Sequence, residues 1–275
     1  MYKILVPVDF SKKSDSAVKM SAQIGKKIKS EIHLLHLVEL PSGIVDMGAG
    51  SNFSIPASMM YLRKVEEKII HLKNTFFDSD HIIKYSIKFE NPFEGITNYA
   101  TKNDANLIVM GSKGVSDFEE MIIGSNTEKV VRTSNIPVIV VKTDTNKFKF
   151  KKLVFASNYD EENKVAFSDF LAFAKKFNSQ IHLLKINTIS NFESSYETHK
   201  KIKNFIQDFN LKRKTITIYN DISVVKGIIN FAKDIDADII AITTHGRSGL
   251  SSLFNGSIAK SVSKNVLRPV ITFKI

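Results

Sequence analysis

The chain contains no cysteine and no tryptophan among its 275 residues. Without cysteine there can be no disulfide, no thiolate metal site and no Cys nucleophile. No apolar run approaches the roughly 20 residues needed to cross a bilayer. The opening segment Tyr2 to Val8 is strand-like, with no basic stretch leading into a long apolar one, so no secretory leader is expected. These absences read as a soluble, cytoplasmic protein with no membrane partner. Two nucleotide signatures are missing as well. There is no G-x-x-x-x-G-K-[ST] loop, and no G-x-G-x-x-G follows the first strand-like run.

Apolar material is ample. Hydrophobic residues make up 43% of the chain and 20 residues are Phe, which excludes a disordered chain. The length suits two domains of about 100–200 residues each. The net charge of +11 is uneven. Residues 1–146 hold 18 Lys+Arg and 17 Asp+Glu, a net of +1; residues 147–275 hold 21 and 11, a net of +10. An acidic partner for the second half would explain this, as would a solvated Lys-rich surface. The lysines are dispersed rather than striped, which favours the surface reading.

An internal repeat fixes the architecture. Gly114 matches Gly246, Gly124 matches Gly256 and Pro137 matches Pro269, all offset by 132. Earlier, Ile32-His33-Leu34-Leu35 matches Ile181-His182-Leu183-Leu184 at an offset of 149. The first copy therefore holds 17 extra residues, assigned to a Gly/Ser/Pro-rich loop from Leu40 to Pro56. The expected domains are 1–146 and 147–275, joined by the polar stretch Thr143 to Lys149.

Apolar runs alternate with helical periodicity in each copy. Strands are expected at 3–8, 31–38, 82–88, 105–110 and 137–142, and again at 152–156, 180–186, 213–219, 238–242 and 269–274. First-copy helices are expected at 12–29, 57–77, 93–103 and 125–134. Continuously apolar strands such as Leu107-Ile108-Val109-Met110 require a sheet covered on both faces. The fold class is α/β: two repeated Rossmann-like domains, each a parallel sheet with helices on both faces.

In such sheets ligands gather beyond the carboxyl ends of the strands. There the first copy places Gly111-Ser112-Lys113-Gly114, and nine residues later Gly124-Ser125 opening a helix. Glycines let backbone amides approach a phosphate, and a helix start adds free N–H groups and a positive dipole end. Ser125 offers a hydroxyl donor or a helix cap. The alternative is that Gly111 and Gly114 only shape a turn. Asp9, at the end of the first strand, can accept hydrogen bonds from ribose hydroxyls or cap the first helix.

These residues resemble the universal stress protein family. Its nucleotide-binding branch carries G-x2-G-x9-G-[ST], matched by Gly111, Gly114, Gly124 and Ser125. Its strand opening resembles Val6-Pro7-Val8-Asp9-Phe10-Ser11, and Asn135-Ile136-Pro137-Val138 resembles the lead into its last strand. The resemblance implies five parallel strands per domain in the order 3-2-1-4-5, and ATP or a related adenine nucleotide, with or without Mg²⁺, in the first domain. Asp9 would then face the ribose or adenine, the backbone near Val38 would meet the adenine, and Gly111, Gly114, Gly124 and Ser125 would hold the phosphates. Ser112 and Asn126 could add contacts. It also implies an intramolecular pseudo-dimer through strands 137–142 and 269–274, which would protect two apolar edges.

The second copy departs from the pattern. Thr243 replaces the first glycine, Ser157 is aligned with Asp9, and Asn187 takes the place of Val38. A Thr Cβ is expected to intrude where backbone should approach phosphate, so the second site is expected to be empty or to hold something other than ATP. Arg247, in His245-Gly246-Arg247-Ser248-Gly249, offers weak anion binding instead.

Other candidates read as structural. His33 and His36 are three apart on a strand and face opposite sides, so they cannot share a metal. Glu119-Glu120 reads as a solvated loop. Phe148 and Phe150, beside lysines, read as the start of a strand rather than a nucleic-acid platform. No nucleophile–base–acid set appears. The expected role is a regulatory or sensing, non-catalytic nucleotide binder in the stress response, acting on a protein partner not named by the sequence. A structural module with vestigial sites and a slow ATPase are the alternatives.

Overall fold

A computed structural model describes residues 1–39, 55–112, 124–142, 147–244 and 257–275. In the first half, strands β1 (Lys3–Pro7), β2 (Glu31–Leu37), β3 (Ile82–Lys88), β4 (Leu107–Gly111) and β5 (Val138–Val141) alternate with helices. These are α1 (Lys12–Ile28), α2 (Ile55–Phe76), α3 (Pro92–Lys102) and α4 (Ser125–Thr133). The second half gives β6 (Lys152–Ala156), β7 (Gln180–Asn187), β8 (Lys214–Asn220), β9 (Ile239–Thr244) and β10 (Val270–Lys274). Its helices are α5 (Lys164–Lys176), α6 (Ser195–Ile206), α7 (Val224–Asp234) and α8 (Ser257–Asn265).

All ten strands form one sheet in the order β3-β2-β1-β4-β5-β10-β9-β6-β7-β8. Within each half the neighbours are parallel. The halves meet where β5 runs antiparallel to β10, with Ile139 opposite Ile271. Each strand thereby covers the other's apolar edge.

On one face a single core runs through both halves, from Ile4 and Ile32 through Ile139 and Val141 to Phe155, Ile271 and Phe273. On the other face each half has its own cluster, around Leu5, Ile108 and Val140 and around Val154, Ile240 and Val270. Phe148 and Phe150 do not begin a strand; they plug the shared core. Phe150 stacks on Phe177 at 4.4 Å, and the Phe148 amide donates to Gln23 Oε1 of α1 at 2.8 Å. Burying about two aromatic side chains at this seam is worth several kcal/mol.

Two further expectations change. The extra length of the first copy is not all loop. Helix α2 starts at Ile55 and has 22 residues against 12 in α6, a difference of ten of the seventeen. Residues 40–54 lie outside the described residues.

The alignment of Asp9 with Ser157 is off by one. Lys3 pairs with Glu31 and Lys152 with Gln180, so the offset of 149 extends to the first strands. The left-handed residues agree, Phe10 at φ 63° and Tyr159 at φ 60°. The counterpart of Asp9 is therefore Asn158.

Candidate functional site

The carboxyl ends of β1, β2 and β4 bring Asp9, Val38 and Gly111 to one edge of the first domain. The chain leaves β1 through Asp9 and the left-handed Phe10 into Ser11, the N-cap of α1. Ser11 Oγ accepts the Ser14 amide at 3.2 Å, and Asp9 Oδ1 accepts the Ser11 amide at 3.0 Å. Ser11, not Asp9, therefore caps α1. Asp9 is exposed, and its second carboxylate oxygen has no partner among the described residues. The Val38 amide donates to the Lys88 carbonyl at 2.8 Å, which leaves its carbonyl and side chain for any ligand.

Gly111 ends β4. A Cβ added there would lie 2.7 Å from the backbone of Lys13, in the first turn of α1. Its bare α-carbon is needed so that α1 can lie against β4, a packing role. Ser112 is buried, with its amide donating to the Val141 carbonyl at 3.0 Å and its carbonyl accepting the Gly124 amide at 2.6 Å. Thr127 Oγ1 donates to the Gly111 carbonyl at 3.0 Å. These bonds pin the start of α4 to the end of β4. Ser112 is left with only its hydroxyl to offer. Gly114, Lys113, Glu119 and Glu120 lie outside the described residues.

Helix α4 starts bare. Its N-cap is Gly124, at φ −62° and ψ 147°, with no side-chain cap; Ser125 is the first helical residue, exposed, and Asn126 the second. By contrast Ser11, Asn91, Ser194 and Ser223 cap α1, α3, α6 and α7 with side-chain oxygens. That backbone conformation is open to any residue. Glycine here leaves the amides of Ser125, Asn126 and Thr127 without an intrahelical or side-chain acceptor among the described residues, at the positive end of the helix dipole.

The second domain fills the same edge with its own side chains. Thr243, at the position of Gly111, donates its hydroxyl to Asn163 Oδ1 at 2.8 Å. The Cβ that Thr carries points toward the first helix, so the substitution acts on packing. The start of the helix loosens into a 3-10 turn, Glu161–Asn163, before α5. Asn163 is buried and donates on to Asn158 Oδ1 at 3.1 Å. Asn158 in turn bonds Asp160, which accepts from Lys201 Nζ at 2.6 Å.

Beside this chain, buried Lys185 stands 3.7 Å from Glu193, its ammonium pKa pushed down by burial. Asn187 donates to the Glu193 carbonyl at 2.9 Å, and its own Oδ1 is buried without a partner among the described residues. The enclosed space lined by Asn158, Asn163, Leu184, Ile228 and Thr243 is about 40 Å³, room for about one water. Sequence reading missed Asn158, Asp160, Asn163 and Lys185; carrying the 149 offset back to the first strands would have found them. Arg247 and Gly256 lie outside the described residues.

His33 and His36 do face opposite sides. His33 Nδ1 meets Tyr99 Oη of α3 at 3.1 Å and its Nε2 meets Glu31, while His36 Nδ1 donates to the Val8 carbonyl at 2.8 Å. No three acidic or histidine side chains gather as metal ligands among the described residues. No described helix is long and apolar enough to cross a membrane.

Comparison with known proteins matches both halves. A sequence model of the universal stress protein family matches residues 1–142 and again residues 149–274. Universal stress protein MJ0577 of Methanocaldococcus jannaschii is 29% identical over 155 residues, 52% of this chain and 96% of that protein. Universal stress protein G of Escherichia coli O157:H7 is 29% identical over 153 residues, 52% of this chain and 100% of that protein. Among solved structures, a universal stress protein from Archaeoglobus fulgidus matches 99% of this chain and 98% of its own with a TM-score of 0.70 at 18% identity, a likeness of fold.

Proposed function

Because the chain belongs to the universal stress protein family, we propose that it is a stress-response regulator whose first domain binds ATP. The observation that carries this reading is the uncapped start of α4 at Gly124, held beside the end of β4 at the ligand-binding edge of the sheet. The amides of Ser125, Asn126 and Thr127 and the Ser125 hydroxyl suit phosphate oxygens. Asp9, at the end of the neighbouring strand and with one carboxylate oxygen unpartnered among the described residues, suits a ribose hydroxyl. The carbonyl of Val38 suits the adenine edge. Gly114 completes the glycine motif in sequence.

Such a site holds phosphate with dipoles and contributes little charge of its own. A magnesium ion would be carried mainly by the phosphates. No side chain named here is paired with a base that would activate water, so the proposed role is to sense the nucleotide rather than to turn it over. The second domain then acts as a packed companion through β5 and β10, forming an internal pseudo-dimer, and the pair works in the cytoplasm on a protein partner.

Calorimetric titration of the whole chain tests this. About one ATP per chain is expected, with binding at least tenfold weaker in Asp9→Ala, the loss of one charge-assisted bond. Absence of heat and of thermal stabilisation at millimolar ATP overturns the proposal, since a ligand that binds only the folded state must stabilise it.

A further inference from the structure

A larger cavity lies at the other end of the second domain, where β6, β9 and β10 begin. It encloses about 540 Å³, within the range of about 300–1,000 Å³ typical of small-molecule sites. Its apolar wall includes Ile229, Val266 and Leu267, the last 68% exposed. Around it stand Lys147, Lys149, Lys233 and Arg268, and the acidic residues lining it among the described residues are Asp236 and Asp238.

Both carboxylates are already spent. Asp236 pairs with Arg268 at 3.1 Å, and Asp238 Oδ2 accepts the amides of Lys151 and Lys152 at 2.7 and 2.9 Å. Carbonyl oxygens just past the end of α7 are met too, Ile235 by Lys152 Nζ at 2.9 Å and Ala237 by Arg268. Lys149 and Lys233 are left with no partner among the described residues. At the offset of 132, the first domain has Ile136 in place of Arg268 and Thr101 in place of Lys233. The cationic rim thus belongs to the second domain alone and accounts for part of its excess charge.

We propose that this cavity binds a phosphate monoester with an apolar body. Two surplus ammonium groups match a dianion, and the aliphatic wall takes a ring or chain that inorganic phosphate lacks. Because β10 runs antiparallel to β5, the site opens on the same edge of the sheet as the first domain's nucleotide site, but it shares no residue with that site and does not depend on it.

Phenyl phosphate, n-hexyl phosphate and inorganic phosphate, titrated in turn against the full chain by calorimetry, test the proposal. At least one of the two esters is expected to bind at about one site per chain, at least tenfold tighter than inorganic phosphate. Which ester binds better separates an aromatic from a lipid-like source. The double variant K149E/K233E is expected to lose that binding at least tenfold while keeping its thermal midpoint, K149Q/K233Q to lose less, and Gly124→Asp to retain it. Ester binding no tighter than inorganic phosphate, binding unchanged in K149E/K233E, or loss in Gly124→Asp instead would overturn it.

Discussion

At the end of β4 the first domain has Gly111, and at the end of β9 the second has Thr243. The packing of the first helix against the sheet differs at that one position. With no Cβ at 111, the first turn of α1 lies against the strand and Ser11 caps it in one clean helix. With a Cβ at 243, the equivalent turn opens into a 3-10 segment, and buried Asn163 bonds the Thr hydroxyl. Asn158, Asp160 and Lys201 extend that contact across the edge. A repeated fold can therefore close a site from inside without losing a strand or a helix. What changes is which partner satisfies the polar groups at the strand ends.

Exchanging the two residues should break this comparison most sharply. Gly111→Thr drives a side chain into the Lys13 backbone and is expected to cost about 3 kcal/mol or more, as overpacking against backbone does. Chemical denaturation measures it; a loss under about 1 kcal/mol would mean that α1 moves aside as freely as its counterpart. The reverse change, Thr243→Gly, removes the hydroxyl that Asn163 accepts from, and should cost about 1–2 kcal/mol, including the freedom that glycine gives the unfolded chain. It should not create ATP binding, because the Asn158–Asp160–Lys201 contacts remain. A second nucleotide per chain in Thr243→Gly would show that the Thr alone keeps the site closed.

The smallest expected effect is a difference in acid response. His182 of β7 has Gln180 two residues before it, whereas His33 of β2 has Glu31. Burial, reinforced by Lys152, holds the His182 pKa below its ordinary 6.5. The unfolded chain then takes up a proton that the folded one refuses, so this contribution is lost as pH falls below about 6.5. The Glu31 pKa is held below 4.5 by its hydrogen bond to His33. Its contribution is present above that value and is lost only at lower pH. Amide protection in β7 should therefore fall between pH 7 and pH 5 while β2 holds, and His182→Gln should remove the difference. Equal loss in both strands would contradict the assignment.

Much of the architecture was legible in the sequence. Strand and helix positions followed from apolar periodicity, and the constant offset of 132 matched the pairing of Gly111 with Val141 and of Thr243 with Phe273. The register of the first strands was not fixed by their own apolar pattern. Ile4-Leu5-Val6 and Leu153-Val154-Phe155 are buried on both faces, so a slip of one residue leaves the apolar pattern unchanged. That is how Asp9 came to be matched with Ser157 rather than Asn158. The reason for Gly111 was hidden because its neighbour, Lys13, is almost a hundred residues away. Phe148 and Phe150 looked like a strand because core plugs and strand starts share a composition.

The central claim is that the bare start of α4 makes the first domain the nucleotide site of this chain. Gly124 sits at φ −62° and ψ 147°, a conformation in which Asp serves well as a helix cap. Gly124→Asp should keep the fold, raise stability by about 0.5–1 kcal/mol, and put a carboxylate where the phosphates belong. Titrating ATP into the wild-type chain and into this variant is the most direct test. The account predicts about one ATP per chain in the wild type and at least a hundredfold loss in the variant with its melting point unlowered. Undiminished ATP binding in Gly124→Asp would contradict it.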